Sequence, residues 1–234
     1  MATGNPKANG KNRVAIIIPA YNEELRIGKV LDAAVLCSLA DEVIVVCDGS
    51  TDRTAEIASL YERVKVVDLG HNLGKGGAMA MGAASTGAEI LLFVDADLIG
   101  MRPEHMEKII LPVLLSQCDM CIGVFRGGHF LSDTAQRISP YISGQRALRR
   151  SFFQSIPYLD EIRLGVEVTI NTVAKRQKLR VHRVVLQGVS NTFKESKLGL
   201  VKGTAARAKM YAEIGRAMVR VRRKKERKRA RPRR

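Results

Sequence analysis

The chain has 234 residues, 46% of them hydrophobic, enough to bury the core of one α/β domain and too few to argue for two. Its 39 Lys and Arg against 23 Asp and Glu give a formal charge of +16, but residues 216–234 hold 12 of the bases and one acid, a net of +11, so only +5 belongs to everything before them. No stretch approaches the ~20 apolar residues of a membrane helix, and the polar start over 1–11 lacks the apolar run of a signal peptide, which predicts a cytosolic protein.

Residues 14–18 are a short apolar run stopped by Pro19, and over 23–39 Leu25, Val30, Leu31, Ala34 and Val35 recur at helical spacing, giving strand, loop and helix. Residues 43–47 repeat the pattern, running into Asp48-Gly49-Ser50-Thr51-Asp52 and a helix that ends about Leu60, with Thr51 or Asp52 suited to cap it. A third strand over 64–67 precedes a glycine-rich loop and a helix over 76–85. A fourth, over 90–94, ends at Asp95-Ala96-Asp97, and a helix over 104–116 leads to a strand over 120–124. Beyond Phe125 a loop over 126–131 leads through Ser139-Pro140-Tyr141 to a predicted helix over 144–153, a helix over 166–176 and a strand over 181–186. The last predicted helix, over 205–221, carries an apolar stripe of Met210, Ile214, Ala217 or Met218, and Val221, and beyond Arg222 the composition predicts disorder.

Apolar strands alternating with helices specify a mostly parallel sheet covered on both faces and joined by right-handed crossovers. Ligands of such sheets bind beyond the carboxyl ends of the strands. Four polar motifs fall there: Tyr21-Asn22-Glu23, Asp48 to Asp52, Asn72-Leu73-Gly74-Lys75-Gly76 and Asp95-Ala96-Asp97.

Asp95 and Asp97, two apart in an extended segment, share a face. Two carboxylates held that close repel unless a cation lies beside them, and a hard ion such as Mg2+ or Mn2+ that also bridges to phosphate fits the pair; the bland reading is a solvated acidic turn. Gly74-Lys75-Gly76-Gly77 ahead of a helix suits either a phosphate cradle or close helix packing. It is no Walker loop: three residues, not four, separate Gly70 from Gly74, and Gly76 stands where Ser or Thr is required. The loop from Pro19 to Glu23 also lacks the glycines of a dinucleotide fingerprint. Cys118 and Cys121 have zinc-like spacing but no second ligand pair, so these two, with Cys37 and Cys47, are expected as reduced thiols.

In this order and spacing, Pro19-Ala20-Tyr21-Asn22-Glu23, Asp48-Gly49-Ser50-Thr51-Asp52, Asn72-x-Gly74-Lys75-Gly76 and Asp95-Ala96-Asp97 resemble the family 2 glycosyltransferases of the GT-A fold, over residues 12–125. The resemblance implies a Rossmann-like GT-A domain, which with the pattern read above gives a single α/β unit over 12–221 ending in a C-terminal helix, between a flexible stretch at 1–11 and a basic disordered tail at 222–234. It implies that Pro19, Ala20, Tyr21, Asn22, Glu23, Asp48 and Gly49 hold the base and ribose of a nucleotide-sugar donor. Gly74, Lys75, Asp95 and Ala96 would lie along the nucleotide, and Asp95 and Asp97 would bind Mg2+ or Mn2+.

Ser143-Gly144-Gln145-Arg146-Ala147 and Gly165-Val166-Glu167 resemble the branch with glucosyl-3-phosphoglycerate synthases and polyprenyl-phosphate sugar transferases. That implies an acceptor pocket at Ser143, Gly144, Gln145 and Arg146, with Arg126 and Arg137 available to a phosphate, and Glu167 as the base or acceptor-orienting acid. The competing reading of Glu167 is a solvated acid favoured by a helix start. One departure stands out: relatives often place a metal-binding His where this chain has Gly188-Val189-Ser190-Asn191-Thr192.

The expected activity is inverting transfer from a UDP- or GDP-sugar to a phosphate-bearing small molecule or polyprenyl phosphate, with the basic tail on the inner, anionic face of a membrane. The alternatives are a sugar nucleotidyltransferase, for which the N-terminal glycine loop and its Arg are missing, and a basic nucleic-acid-binding protein.

Overall fold

The computed structural model describes residues 13–126, 143–159, 162 and 165–191. Three strand-and-helix units come first: β1 (Val14–Ala20) and α1 (Ile27–Val35), β2 (Glu42–Cys47) and α2 (Thr54–Ser59), β3 (Val64–Asp68) and α3 (Lys75–Ala84). Then follow β4 (Ile90–Phe93), β5 (Leu98–Ile99), α4 (Pro103–Leu114), β6 (Met120–Arg126), β7 (Arg146–Arg149), α5 (Arg150–Gln154), α6 (Val166–Arg176), β8 (Val181–Gln187) and β9 (Ser190–Asn191). The predicted helix over 205–221 and the tail lie outside the described residues.

One seven-stranded sheet runs β3-β2-β1-β4-β7-β6-β8, parallel except for β7, which is antiparallel to both neighbours. Successive residues of a strand face opposite sides, and the core divides accordingly. Ile16, Ile18, Val43 and Val45 pack with Ile27 and Leu31 of α1 and with Met106 and Ile109 of α4 on one face. On the other, Ile17, Ile44 and Val46 pack with Met79 of α3, and Phe93 with Phe153 of α5. Full burial of one such side chain is worth roughly 1.5–3 kcal/mol, which explains strands with no polar face at all. Strand order reverses between β1 and β4, opening a crevice at their carboxyl ends.

The helix expected over 144–153 is instead strand β7 followed by the short α5. Arg-Ala-Leu-Arg has good helix formers, but β4 and β6 each leave an open hydrogen-bonding edge toward the gap between them. Ala147 and Leu148, both fully buried, close that gap as Leu92↔Ala147 and Cys121↔Ala147 pairs and their neighbours. Tertiary pairing overrides local propensity. Because β7 runs antiparallel, its first residue, Arg146, lies opposite Phe93 at the end of β4, so the preceding Ser143, Gly144 and Gln145 reach the same rim as the four motifs. Among the described residues no helix is long and apolar enough to cross a membrane.

Candidate active site

The loops after β1 and β2 are latched to each other by side chains that satisfy backbone amides. Asn22, at a left-handed φ of 54°, donates its amide to Ser50 Oγ at 3.1 Å, and its own Oδ1 accepts the Thr51 amide at 2.8 Å. The Glu23 amide donates to Thr54 Oγ1 at 2.8 Å and the Glu24 amide to Asp52 Oδ2 at 3.1 Å. Asp52 Oδ1 also accepts the Thr54 amide at 3.0 Å, but the N-cap position of α2 falls on Arg53, without a side-chain cap bond, and not on Thr51 or Asp52 as the sequence suggested. Burial pushes the Asp52 carboxyl up, but these bonds outweigh it and hold the group below the usual range. Pro19 and Ala20 end β1, Tyr21 after them is exposed, and Gly49, at a left-handed φ of 68°, lies against the backbone of His71 and Asn72, where a Cβ would collide.

Asp48, only 4% exposed, turns inward: its Oδ1 accepts the Leu73 amide at 2.6 Å and its Oδ2 the Gly74 amide at 2.9 Å. Asp48 therefore anchors the glycine loop. The Gly76 amide, in turn, donates to Ile162 O at 3.0 Å, and a Cβ on Gly76 would collide with the carbonyls of Leu159 and Ile162. With the amides of residues 73, 74 and 76 engaged inside the protein, close packing explains these glycines better than a phosphate cradle. What the loop offers the crevice is the Lys75 side chain.

Lys75 Nζ lies 2.5 Å from Asp95 Oδ1 and 2.5 Å from Glu167 Oε1, bridging the end of β4 to the first turn of α6. Burial disfavours its charge, but Asp95 and Glu167 more than compensate and raise its pKa well above the ordinary lysine value. The second oxygen of Asp95 accepts from Gln145 Nε2 at 2.8 Å, which sets the amide's orientation, and the Ser143 hydroxyl lies between two acceptors, the Gly123 carbonyl and Gln145 Oε1. Burial raises the Asp95 carboxyl, but Lys75 and Gln145 bring it below the usual carboxylate range. Gly144 is required here, because a Cβ would strike the Asp95 carboxylate. Glu167 is 8% exposed, so it is not a solvated helix-start acid.

The acceptor arginines separate. Arg146 is fully buried and donates to the Ser143 and Glu167 carbonyls and to Asn171 Oδ1, so it cannot face a phosphate across the crevice from this position. Arg126 ends β6 at the rim, while Arg137 and His129 lie outside the described residues. Sequence reasoning missed Asn171 and the Ile162 carbonyl. Asn171 stands one helical turn after Glu167, a spacing that could have flagged it; a backbone carbonyl has no signature in sequence.

Asp97, half-buried, precedes β5, and the pairing Leu98↔Asn191 sets Asn191 close to it. Among the described residues no group of three or more His, Cys, Asp or Glu could hold a metal. A magnesium-like ion commonly takes one or two carboxylates and completes its shell with phosphate and water, so the residues fit a cation shared with a ligand and do not form a closed protein site. Each Asp95 oxygen already has a partner, Lys75 or Gln145, so a cation bound there would share that carboxylate with them. His71 and His182 are exposed, and His105 is buried within α4. The four cysteines are free and buried, and burial pushes Cys47 up to about 11 and Cys121 up to about 12.

The chain is 38% identical over 113 residues to a mouse dolichyl-phosphate beta-glucosyltransferase, a stretch that is 41% of this chain and 35% of that enzyme. It is 36% identical over 121 residues to the glucosyl-3-phosphoglycerate synthase of Mycolicibacterium smegmatis, covering 48% and 39%. The matches thus span little more than a third of the length of these curated relatives. The crystal structure of the Mycobacterium tuberculosis glucosyl-3-phosphoglycerate synthase with Mn2+, uridine-diphosphate-glucose and phosphoglyceric acid superposes with a TM-score of 0.68 at 25% identity, over 88% of this chain and 81% of that one. The profile of the family described as Glycosyl transferase family 2 matches residues 15–180, most of the sequence, and the chain belongs to that family.

Proposed function

We propose that the chain transfers a sugar, with inversion, from a UDP- or GDP-sugar to a phosphate-bearing acceptor. The observation that carries this reading is the meeting of Lys75, Asp95, Gln145 and Glu167, from four separate segments, beside Asp97 at the crevice where strand order reverses. The relatives named above support the choice of donor and acceptor class, and family membership favours transfer over nucleotidyl chemistry.

In this reading the latched loops from Pro19 to Glu23 and around Asp48 and Gly49 form the seat for base and ribose, with Ala96 and Gly74 lining the way to the diphosphate. Asp97, aided by Asp95, would hold Mg2+ or Mn2+, which stabilises the negative charge that grows on a departing nucleoside diphosphate. Lys75 reaches the same oxygens. A diphosphate competes with Glu167 for the Lys75 ammonium, which leaves the Glu167 carboxylate to accept or orient an acceptor proton. Ser143, Gly144 and Gln145 shape the acceptor side. Incubation with a panel of nucleotide sugars and Mn2+ or Mg2+, with phosphoglycerate, glycerol phosphate or a polyprenyl phosphate, should release nucleoside diphosphate faster when the right acceptor is present. Failure to release it from any donor would refute the proposal.

We also assign residues 12–221 to the catalytic unit and the strongly basic 222–234 to docking on an anionic membrane, which would make the enzyme peripheral on its inner face. Each Lys or Arg near such a surface contributes about 1 kcal/mol, so half of the 12 bases over 216–234 would suffice for reversible attachment. The full chain should float with anionic vesicles at low salt and be released as salt rises; equal flotation after truncation at Gly215 would sink the assignment.

A further inference from the structure

Arg146 is the largest fully buried side chain among the described residues. Its Nη1 donates to Asn171 Oδ1 at 3.1 Å and to the Glu167 carbonyl at 3.4 Å, Nη2 donates to the Ser143 carbonyl, and Nε is buried without a hydrogen-bond partner among the described residues. None of these partners is a carboxylate. A cation taken out of water and given only neutral acceptors is unfavourable compared with a hydrocarbon side chain of the same volume, so packing alone does not explain an arginine here.

Its acceptors show what the fork connects. Glu167 and Asn171 lie one turn apart on α6, while Ser143 belongs to the segment that delivers Gln145 to Asp95. Arg146 thus ties the segment that holds Asp95 to the helix that holds Lys75 through Glu167. Its charge also balances the site: two carboxylates, Asp95 and Glu167, face two cations, Lys75 and Arg146. Burial pulls the guanidinium's pKa down while Glu167 and Asp95 push it back, so both carboxylates feel this charge. A planar fork spans three fixed acceptors in a way an ammonium cannot.

We propose that Arg146, with Asn171 as its partner on α6, is a positioning residue for transfer that fixes the Glu167 carboxylate relative to the Asp95–Gln145 pair and touches neither donor nor acceptor. The inference rests on the site reading given above, and its test is chosen to be separable from it.

The full-length protein and its Arg146→Lys, Asn171→Ala and Asn171→Asp variants would be compared by two measurements. The first is the rate at which the Lys75 ammonium protons exchange with water, read by NMR without substrate. The second is steady-state release of nucleoside diphosphate. Arg146→Lys should speed the ammonium exchange by about tenfold or more and lower kcat by about 10²-fold, the scale of a misplaced reacting group, with donor affinity and acceptor KM within about threefold of the original. Asn171→Ala should act in the same direction at about tenfold in kcat, and Asn171→Asp, which restores an acceptor for Nη1, should recover most of the loss. Unchanged ammonium exchange in both Arg146→Lys and Asn171→Ala would overturn the proposal. So would an acceptor KM raised about tenfold with kcat preserved, which would make Arg146 an acceptor contact. If Arg146→Lys does not fold, the two Asn171 variants decide by the same criteria. A parent protein that turns over no nucleotide sugar would refute the proposed activity, while the exchange rates would still decide whether Arg146 and Asn171 hold Glu167 on Lys75.

Discussion

The two sides of the crevice are built on different plans. On the proposed donor side, short polar side chains satisfy backbone amides of neighbouring loops: Asn22 with Thr51, Thr54 with Glu23, Asp48 with Leu73 and Gly74. On the proposed acceptor side, Gln145, Arg146 and Glu167 are buried and act on Asp95, Lys75 and Asn171, side chain upon side chain. The first arrangement is a frame in which side chains already hold the backbone amides of the neighbouring loop. The second holds opposite charges close together with little water, where each interaction is stronger and a lost partner is felt more. Chemistry belongs where charge remains available to a ligand, and the frame's task is to hold that place still.

Asp97→Ala should have the largest effect. Losing the carboxylate nearest the expected cation should lower turnover by about 10³-fold or more, since charge stabilisation by a bound ion is worth several kcal/mol. Because Asp97 is half-buried outside the core, Tm should move by only about 2 °C. EDTA should reproduce the loss of activity, and full activity in EDTA would remove the metal from the mechanism.

Glu167→Gln should cut kcat by about 10²-fold with donor affinity nearly unchanged, measured by steady-state kinetics and calorimetry. A variant with normal turnover would move Glu167 from the chemistry into the frame.

Lys75→Met sharpens the contrast through stability. It leaves Asp95 and Glu167 facing each other without their shared cation, which should cost about 2 kcal/mol in urea unfolding. That is below the 3–5 kcal/mol typical of a fully buried pair, because the Lys75 side chain keeps 29% exposure. Adding Glu167→Gln should recover part of the loss. Strict additivity would mean the three groups do not act together.

The smallest effect is expected at Asp119→Asn, far from the crevice. Arg180 holds the Asp119 carboxyl below the usual carboxylate range, through side-chain and backbone hydrogen bonds. A depressed folded value means the stabilisation is fully present above the unfolded carboxyl value of about 3.9 and is lost as pH falls through the folded one. The variant should therefore be slightly less stable at neutral pH and match the parent in strong acid, as urea unfolding at the two pH values would report.

Much of the donor side was legible because its elements are local. The apolar runs over 14–18, 43–47, 64–67 and 90–94 became β1 to β4, and the motifs that follow them meet as a parallel sheet requires. The acceptor side was harder for physical reasons. Residues 144–153 have helix formers at helical spacing, and only the gap between β4 and β6 makes a strand of 146–149. An arginine in sequence is by default a surface group, so the burial of Arg146 could be learned only from its partners. Gly76 illustrates a third limit. Glycine before a helix suits an anion or a close neighbour equally well, and the choice was made by a carbonyl 86 positions downstream, that of Ile162.

The reversed strand β7 has a consequence for how such a protein can change. β6 ends at the carboxyl rim, and because β7 runs the other way it begins there too, so the chain leaves the sheet at Arg126 and re-enters it at Arg146 on the same side. Insertions or deletions between those points need not disturb the register of any strand, and loop length itself carries only a weak entropic penalty. A parallel strand at that place would have required a crossover to the opposite rim. The scaffold can therefore exchange the segment between β6 and β7 as a unit while the loops after β1 to β4 stay as they were.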